Sequence, residues 1–166
     1  MPQIFSLPAL ICIKHPRFLS VNLYKLIYGD YDLKTRLKKY GALFVIGAVG
    51  YCLIELIWRK RTHWSMALTG GACFAAFYNL CLRLCKKRRV VRCAAGCAMI
   101  TAVEFLVGVV VNLWLKLKVW DYSARPFNIL GQICPLFTFL WFLLCFPLSF
   151  LCEHIHNRAV NNYNIK

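Results

Sequence analysis

The chain has 166 residues, 60% of them hydrophobic, with a mean hydropathy of +0.57 and a formal charge of +15. That length allows one domain, and that hydropathy excludes an ordinary soluble one. The bases sit in clusters between apolar runs and not on one soluble face, which argues against a nucleic-acid partner and points to the lipid bilayer, with anionic lipid attracted to the basic clusters.

Residues 1–40 are mixed. The apolar run 4–13 is too short to span and has no positive segment before it, so an interfacial stretch is expected there and not a cleaved signal peptide. From residue 21 to 40, Leu23, Leu26, Ile27, Leu33 and Leu37 alternate with Lys25, Lys34, Arg36, Lys38 and Lys39. That mixture suits a helix lying on the membrane surface, with Gly29-Asp30 as a break.

Four spans follow. The first, 41–57, closes on Trp58 and Arg59-Lys60-Arg61, an aromatic and basic interface signature. The second, 64–82, contains Gly70-Gly71 and Asn79 and leads into the densest basic cluster, Arg83 to Arg92. The third is 93–115. The fourth, 127–152, is interrupted by Pro135 and Pro147, and at Pro135 a freed backbone carbonyl is expected to need another donor. Residues 153–166 form a polar tail. The reading is therefore an all-α integral membrane bundle of about four transmembrane helices (41–152), preceded by an N-terminal interfacial segment (1–40).

The N-terminal segment, second loop and tail together hold 15 Lys and Arg, against 6 in the first and third loops. The bias places both termini in the cytoplasm and the third loop outside, in a multi-pass protein of the inner (plasma) membrane. Most of the ten cysteines lie inside apolar runs, where cysteine acts as a small hydrophobe. Their spacings and those of the histidines fit no zinc knuckle, and no metal or cofactor is expected. A loose echo of Glu55, Trp64-Ser65 and Gly70 in Glu104, Trp120, Ser123 and Gly131 hints at an internal repeat.

Candidate chemistry centres on the third span and the loop behind it. Cys97, Thr101, Glu104, Gly108 and Asn112 fall on one helix stripe, small or polar throughout. A carboxylate near mid-span costs roughly 2.5 kcal/mol or more to insert, so Glu104 should face protein or water, as interhelical glue or as a proton-, cation- or substrate-binding group. Glu55 stands one turn from the end of the first span. A pair with Arg59 is its bland reading, and a contact with Tyr122 or Ser123 its sharper one. The loop Trp120-Asp121-Tyr122-Ser123, with Pro126, Asn128 and Gly131, is too rich in special residues for a plain connector. It reads as a folded cap in which Asp121 accepts from nearby backbone amides or Ser123, in an Asx- or ST-type local motif. Glu104, Asp121, Tyr122, Glu55, Asn128 and Asn112 are the substrate- or ion-binding candidates, with no catalytic residue assigned. No phosphate-binding loop, His-Glu-x-x-His or Gly-x-Ser-x-Gly motif occurs, so the chain carries no ATPase of its own.

Glu104, Gly108, Trp120-Asp121-Tyr122-Ser123, Pro126, Asn128, Gly131, Ile133 and Trp141, with Gly50 and Glu55, resemble the bacterial membrane family of type IV ABC transporter permeases, CmpB-like, over residues 40–152. The resemblance implies a polytopic inner-membrane protein. The expected function is a permease-like component of a transport system, working with a separate ATP-binding subunit or a second membrane subunit. Small-residue faces at Gly70-Gly71 and Gly108 would serve a homo-oligomer. The alternatives are a membrane-embedded enzyme using the outer-face carboxylates, and a non-catalytic scaffold or envelope partner.

Overall fold

The computed structural model describes residues 29–164; the expected interfacial run 4–13 and the start of the surface helix lie outside them. Four helices account for nearly all the rest: α1 (Gly29–Arg59), α2 (Trp64–Arg83), α3 (Arg89–Gly108) and α4 (Pro135–Asn164), α3 continuing as π-helical turns over Val109–Trp114. Each contains a segment long and apolar enough to cross a membrane: Arg36–Arg59, Trp64–Arg83, Arg89–Trp114 and Pro135–Arg158. No strand occurs among the described residues.

The outside of the bundle is apolar like its core, and several polar groups are turned inward. Val45, Val49 and Leu53 on α1, Leu106 and Val110 on α3, and Phe139 and Leu143 on α4 are exposed, whereas Glu55, Thr69, Glu104, Asn112, Gln132 and Ser149 are buried. A hydrocarbon solvent imposes that arrangement, because only the interior can satisfy polar groups. Trp58, Trp64 and Trp114, at the end of α1, the start of α2 and the end of the α3 extension, are exposed at one end of the bundle and form an aromatic belt. The other end is basic.

Local chemistry explains where the helices begin and stop. At the end of α1, Lys60 adopts φ 55° and its N–H donates to Leu56 O at 3.0 Å, closing the last turn in a left-handed cap. His63 caps α2 by accepting from Ser65 N–H at Nδ1, 3.3 Å. Among the described residues α1 runs unbroken from Gly29 through Gly41 to Arg59, and the stretch that a Gly29-Asp30 break would separate from it lies outside them. One expectation is corrected. Residues 127–134 are not the first turns of the fourth span. Phe127, Leu130 and Gly131 adopt φ of 55°, 50° and 67°, which no right-handed helix accommodates, and α4 starts only at Pro135. At the first helical position a proline's missing N–H leaves no carbonyl unpaired, so the donor expected to rescue one is unnecessary. Pro147 is the proline inside the helix.

Packing is pairwise, α1 against α2 and α3 against α4, with α2 also touching α3 and α4. The α1–α2 crossing depends on glycine. A Cβ on Gly47 would meet Gly70 O and Phe74 Cβ at 2.5 Å, and one on Gly70 would run into Tyr51 Cβ. The Gly70-Gly71 face expected to serve an oligomer is thus consumed within the chain, as is Gly108, which seats Gln132 and Trp120. Toward the basic end, Phe77, Tyr78, Cys81, Cys93, Cys145 and Cys152 form the core. There Glu153 pairs with both Arg89 and Arg92 at 2.9 Å, joining α3 to α4.

Candidate functional site

The third loop folds around amide side chains. Asn112, on the last turns of α3, donates to Gln132 Oε1 at 2.8 Å and accepts from Val119 N–H at 2.7 Å. The Gln132 side chain in turn donates to Leu130 O at 2.8 Å, and its backbone carbonyl accepts from Trp120 Nε1 at 3.0 Å. Asn128 donates to Ser123 O (3.1 Å) and Arg125 O (2.8 Å) while accepting from Gly131 N–H at 2.9 Å. Gly131 must be glycine, because at φ 67° any Cβ would press on Ser123 Oγ and Asp121 Oδ1. Asp121 forms the expected Asx turn, its Oδ1 accepting from Ser123 N–H at 2.8 Å and Ser123 Oγ at 2.5 Å. Those two donors hold its carboxyl below the usual aspartate range.

Non-helical backbone near membrane depth is tolerated only when its polar groups are paired internally, and these amides pair them. The result is a rigid plug. It buries Trp120 (2% exposed) and directs Tyr122 toward α3, stacked on Phe137 of α4 with ring centroids 4.4 Å apart.

Tyr122 ends on Glu104. Its phenol donates to Glu104 Oε1 at 3.3 Å, and Trp141 Nε1 of α4 donates to Oε2 at 2.6 Å. Glu104 is 4% exposed and has no ion-pair partner among the described residues. Burial and the neighbouring Glu104 carboxyl raise the Tyr122 phenol well above its usual range, so it acts as a donor and not as a phenolate. Tyr51 of α1 stacks on Trp141, centroids 5.7 Å apart. Glu104, Tyr51, Trp141 and Trp120 line the head of a cavity of about 150 Å³, whose remaining wall is almost wholly apolar. Ten residues separate Glu104 from Trp114, so the carboxyl lies in the interior of the Arg89–Trp114 span.

The other candidates have separate places. Glu55 is buried and accepts from Arg59 at 3.2 Å and Thr62 Oγ1 at 2.9 Å, so the i, i+4 pair holds, whereas the expected contact with Tyr122 or Ser123 is not formed. Arg59 itself reaches across to donate to Val119 O at 2.8 Å, tying the end of α1 to the third loop. No donor is shared among Glu55, Glu104 and Asp121. The α3 stripe faces inward as expected but does not serve Glu104. Cys97 donates to Thr138 O at 3.1 Å and Thr101 meets Thr138 Oγ1 at 3.4 Å, both on α4. Sequence reasoning passed over Trp141 as the strongest partner of Glu104; the signal was an indole N–H inside an apolar run, where it must find an acceptor.

A family model described as Putative ABC-transporter type IV matches residues 42–166, from the first span to the end of the chain. No curated protein and no solved structure matches.

Proposed function

The chain belongs to the Putative ABC-transporter type IV family, and from that premise we propose that it is the membrane-embedded component of a transport system in which Glu104 handles the transported solute or a coupled cation. The supporting observation is the carboxyl itself, buried inside the third span, held by two neutral donors, without an ion-pair partner among the described residues, and lining a cavity. A purely structural link between helices does not need an acid there. Asp121, Asn128 and Asn112 act through Tyr122 by holding its loop, and Glu55 acts through Arg59. The chain has no nucleotide-binding loop, so energy comes from a separate ATP-binding subunit or a second membrane subunit. We assign both termini and the α2–α3 turn to the cytoplasm, the chain to the inner membrane and the Trp120 loop to the outside, and the basic asymmetry supports that assignment.

Affinity purification of the full chain in mild detergent tests this. An ATP-binding protein is expected to co-purify, and Glu104→Gln should leave that complex intact while changing its ATPase activity. Purification without any ATP-binding protein, or an ATPase indifferent to Glu104→Gln, would overturn the reading.

A further inference from the structure

The Glu104 cavity is not sealed. Phe74, Phe77 and Met66 form its buried floor, but Ile46 and Ile54 of α1 and Leu151 of α4, which also line it, are 43%, 40% and 37% exposed. These are side chains of the lipid-facing surface. Ring contacts between α1 and α4 occur near the Trp end, where Tyr51 meets Trp141 and Trp58 meets Phe137. Further toward the basic end, the facing walls are Ile46 and Gly50 on α1 and Leu144, Leu148 and Leu151 on α4, and they line the cavity instead of closing it. From Trp141 to Leu151 this apolar trough runs roughly 15 Å along α4. A ligand therefore reaches Glu104 from the bilayer, sideways, with an apolar part lying in the trough.

The chemistry at the head selects the charge. A desolvated carboxylate facing aromatic rings, with no basic partner among the described residues, attracts a cation and repels a phosphate or sulfate. Tyr51, Trp141 and Trp120 offer ring surface around it. The free volume is small, about 150 Å³ for head and trough together and enough for a group the size of benzene, so a long tail lies partly outside it against lipid. A small organic ammonium fits, and a bulky sugar-phosphate head does not.

We propose that the cavity binds the cationic head of a single-chain amphiphile, a long-chain alkylammonium, entering between α1 and α4 with its tail along Leu144, Leu148 and Leu151. The proposal rests on Glu104 being the ligand-handling group and adds the substrate class and the lateral route.

The test is equilibrium binding of radiolabelled dodecyltrimethylammonium to the full chain in phosphatidylcholine nanodiscs. Its fixed charge removes protonation of the ligand as a variable. Saturable binding is expected, displaced by unlabelled alkylammonium but not by dodecanol or dodecyl sulfate of equal chain length. Glu104→Gln should weaken it by about tenfold or more, the scale of losing one partner of a desolvated charge pair. A second variant probes the trough. A Cβ at Gly50 meets nothing within 4 Å, so Gly50→Leu should fold normally, fill the cleft and weaken binding without touching the carboxyl. Dodecanol displacing the label as well as the ammonium does, Glu104→Gln binding like the parent, or no saturable binding at all would each overturn the proposal. Should binding fail while an ATP-binding subunit still co-purifies and still responds to Glu104→Gln, the substrate class is wrong and the transport reading stands. Retained binding without any such subunit rejects that reading and keeps the cation site.

Discussion

Glu104 has two neutral donors converging on it, so its substitutions divide into those that keep an acceptor and those that do not. Glu104→Gln keeps a carbonyl oxygen for Trp141 and should fold with a melting temperature close to the parent. Glu104→Leu strands the Trp141 N–H and the Tyr122 O–H in a dry interior, and each stranded group costs about 1–3 kcal/mol. Thermal unfolding in detergent should therefore rank the Leu variant clearly below the Gln variant; equal stabilities would mean that the carboxyl faces lipid. Asn112 is the corresponding residue for the loop, joined to both Gln132 and Val119. Asn112→Ala should cost about 1–3 kcal/mol by the same argument and expose Trp120 to a soluble quencher. Asp121 contributes through its charge. Its folded value is depressed, so its contribution is complete at neutral pH and is lost as pH falls through that value, below the ordinary 3.8. Asp121→Asn keeps the Asx turn without a titrating group. Melts run from neutral to acid pH should show a loss in the parent that the Asn variant lacks, and parallel curves would contradict the assignment.

At the scale of elements, the α1–α2 pair and the third loop are held by different physics. The pair depends on close backbone approach at Gly47 and Gly70, where any side chain overlaps the opposing helix. Gly47→Leu should destabilise by more than the 1–3 kcal/mol typical of an overpacked core, because the opposing atoms are backbone as well as side chain. Gly50→Leu, one turn on and facing open space, should not. Comparing the two variants by detergent melting separates a packing role from a general intolerance of α1 to bulk. The third loop gains its shape from hydrogen bonds directed by Asn112, Asn128 and Gln132, and from a backbone that departs from helix at Phe127, Leu130 and Gly131. The π-helical turns at Val109–Trp114 deliver the chain into that loop, with Leu115 N–H reaching Val110 O at 2.9 Å.

At the scale of the whole molecule, the exposed apolar faces, the belt of Trp58, Trp64 and Trp114 and the opposite basic end together define a membrane-crossing bundle with two unlike ends. Reporter fusions after Lys86 and after Arg125 should report opposite sides, with Lys86 cytoplasmic; signals from one side would defeat the four-span arrangement. The salt bridges of Glu153 with Arg89 and Arg92 close the basic end between α3 and α4.

Much of this was legible along the chain because hydrophobicity, interfacial tryptophans and the Lys/Arg bias act through local composition. Four spans, an inward-facing Glu104 stripe, the Glu55–Arg59 pair and the Asx turn at Asp121 all depend on residues at most a few positions apart. The start of α4 was misread because residues 127–134, apolar or small apart from Asn128 and Gln132, satisfy a hydropathy rule equally well as helix or as plug. Only the hydrogen bonds of the Asn112 and Asn128 side-chain amides, made across the loop, decide for the plug. Composition likewise could not say that Gly70-Gly71 meets Gly47 in its own chain, since a small face suits any partner. The binding site required the most distant contacts. Glu104 joins Trp141, 37 positions away, and Tyr51 of α1 stacks on that indole from the opposite side of the bundle. No periodicity within a single helix encodes which side chain of another helix lies opposite, so the carboxyl was visible in the sequence and its cavity was decided by the packing.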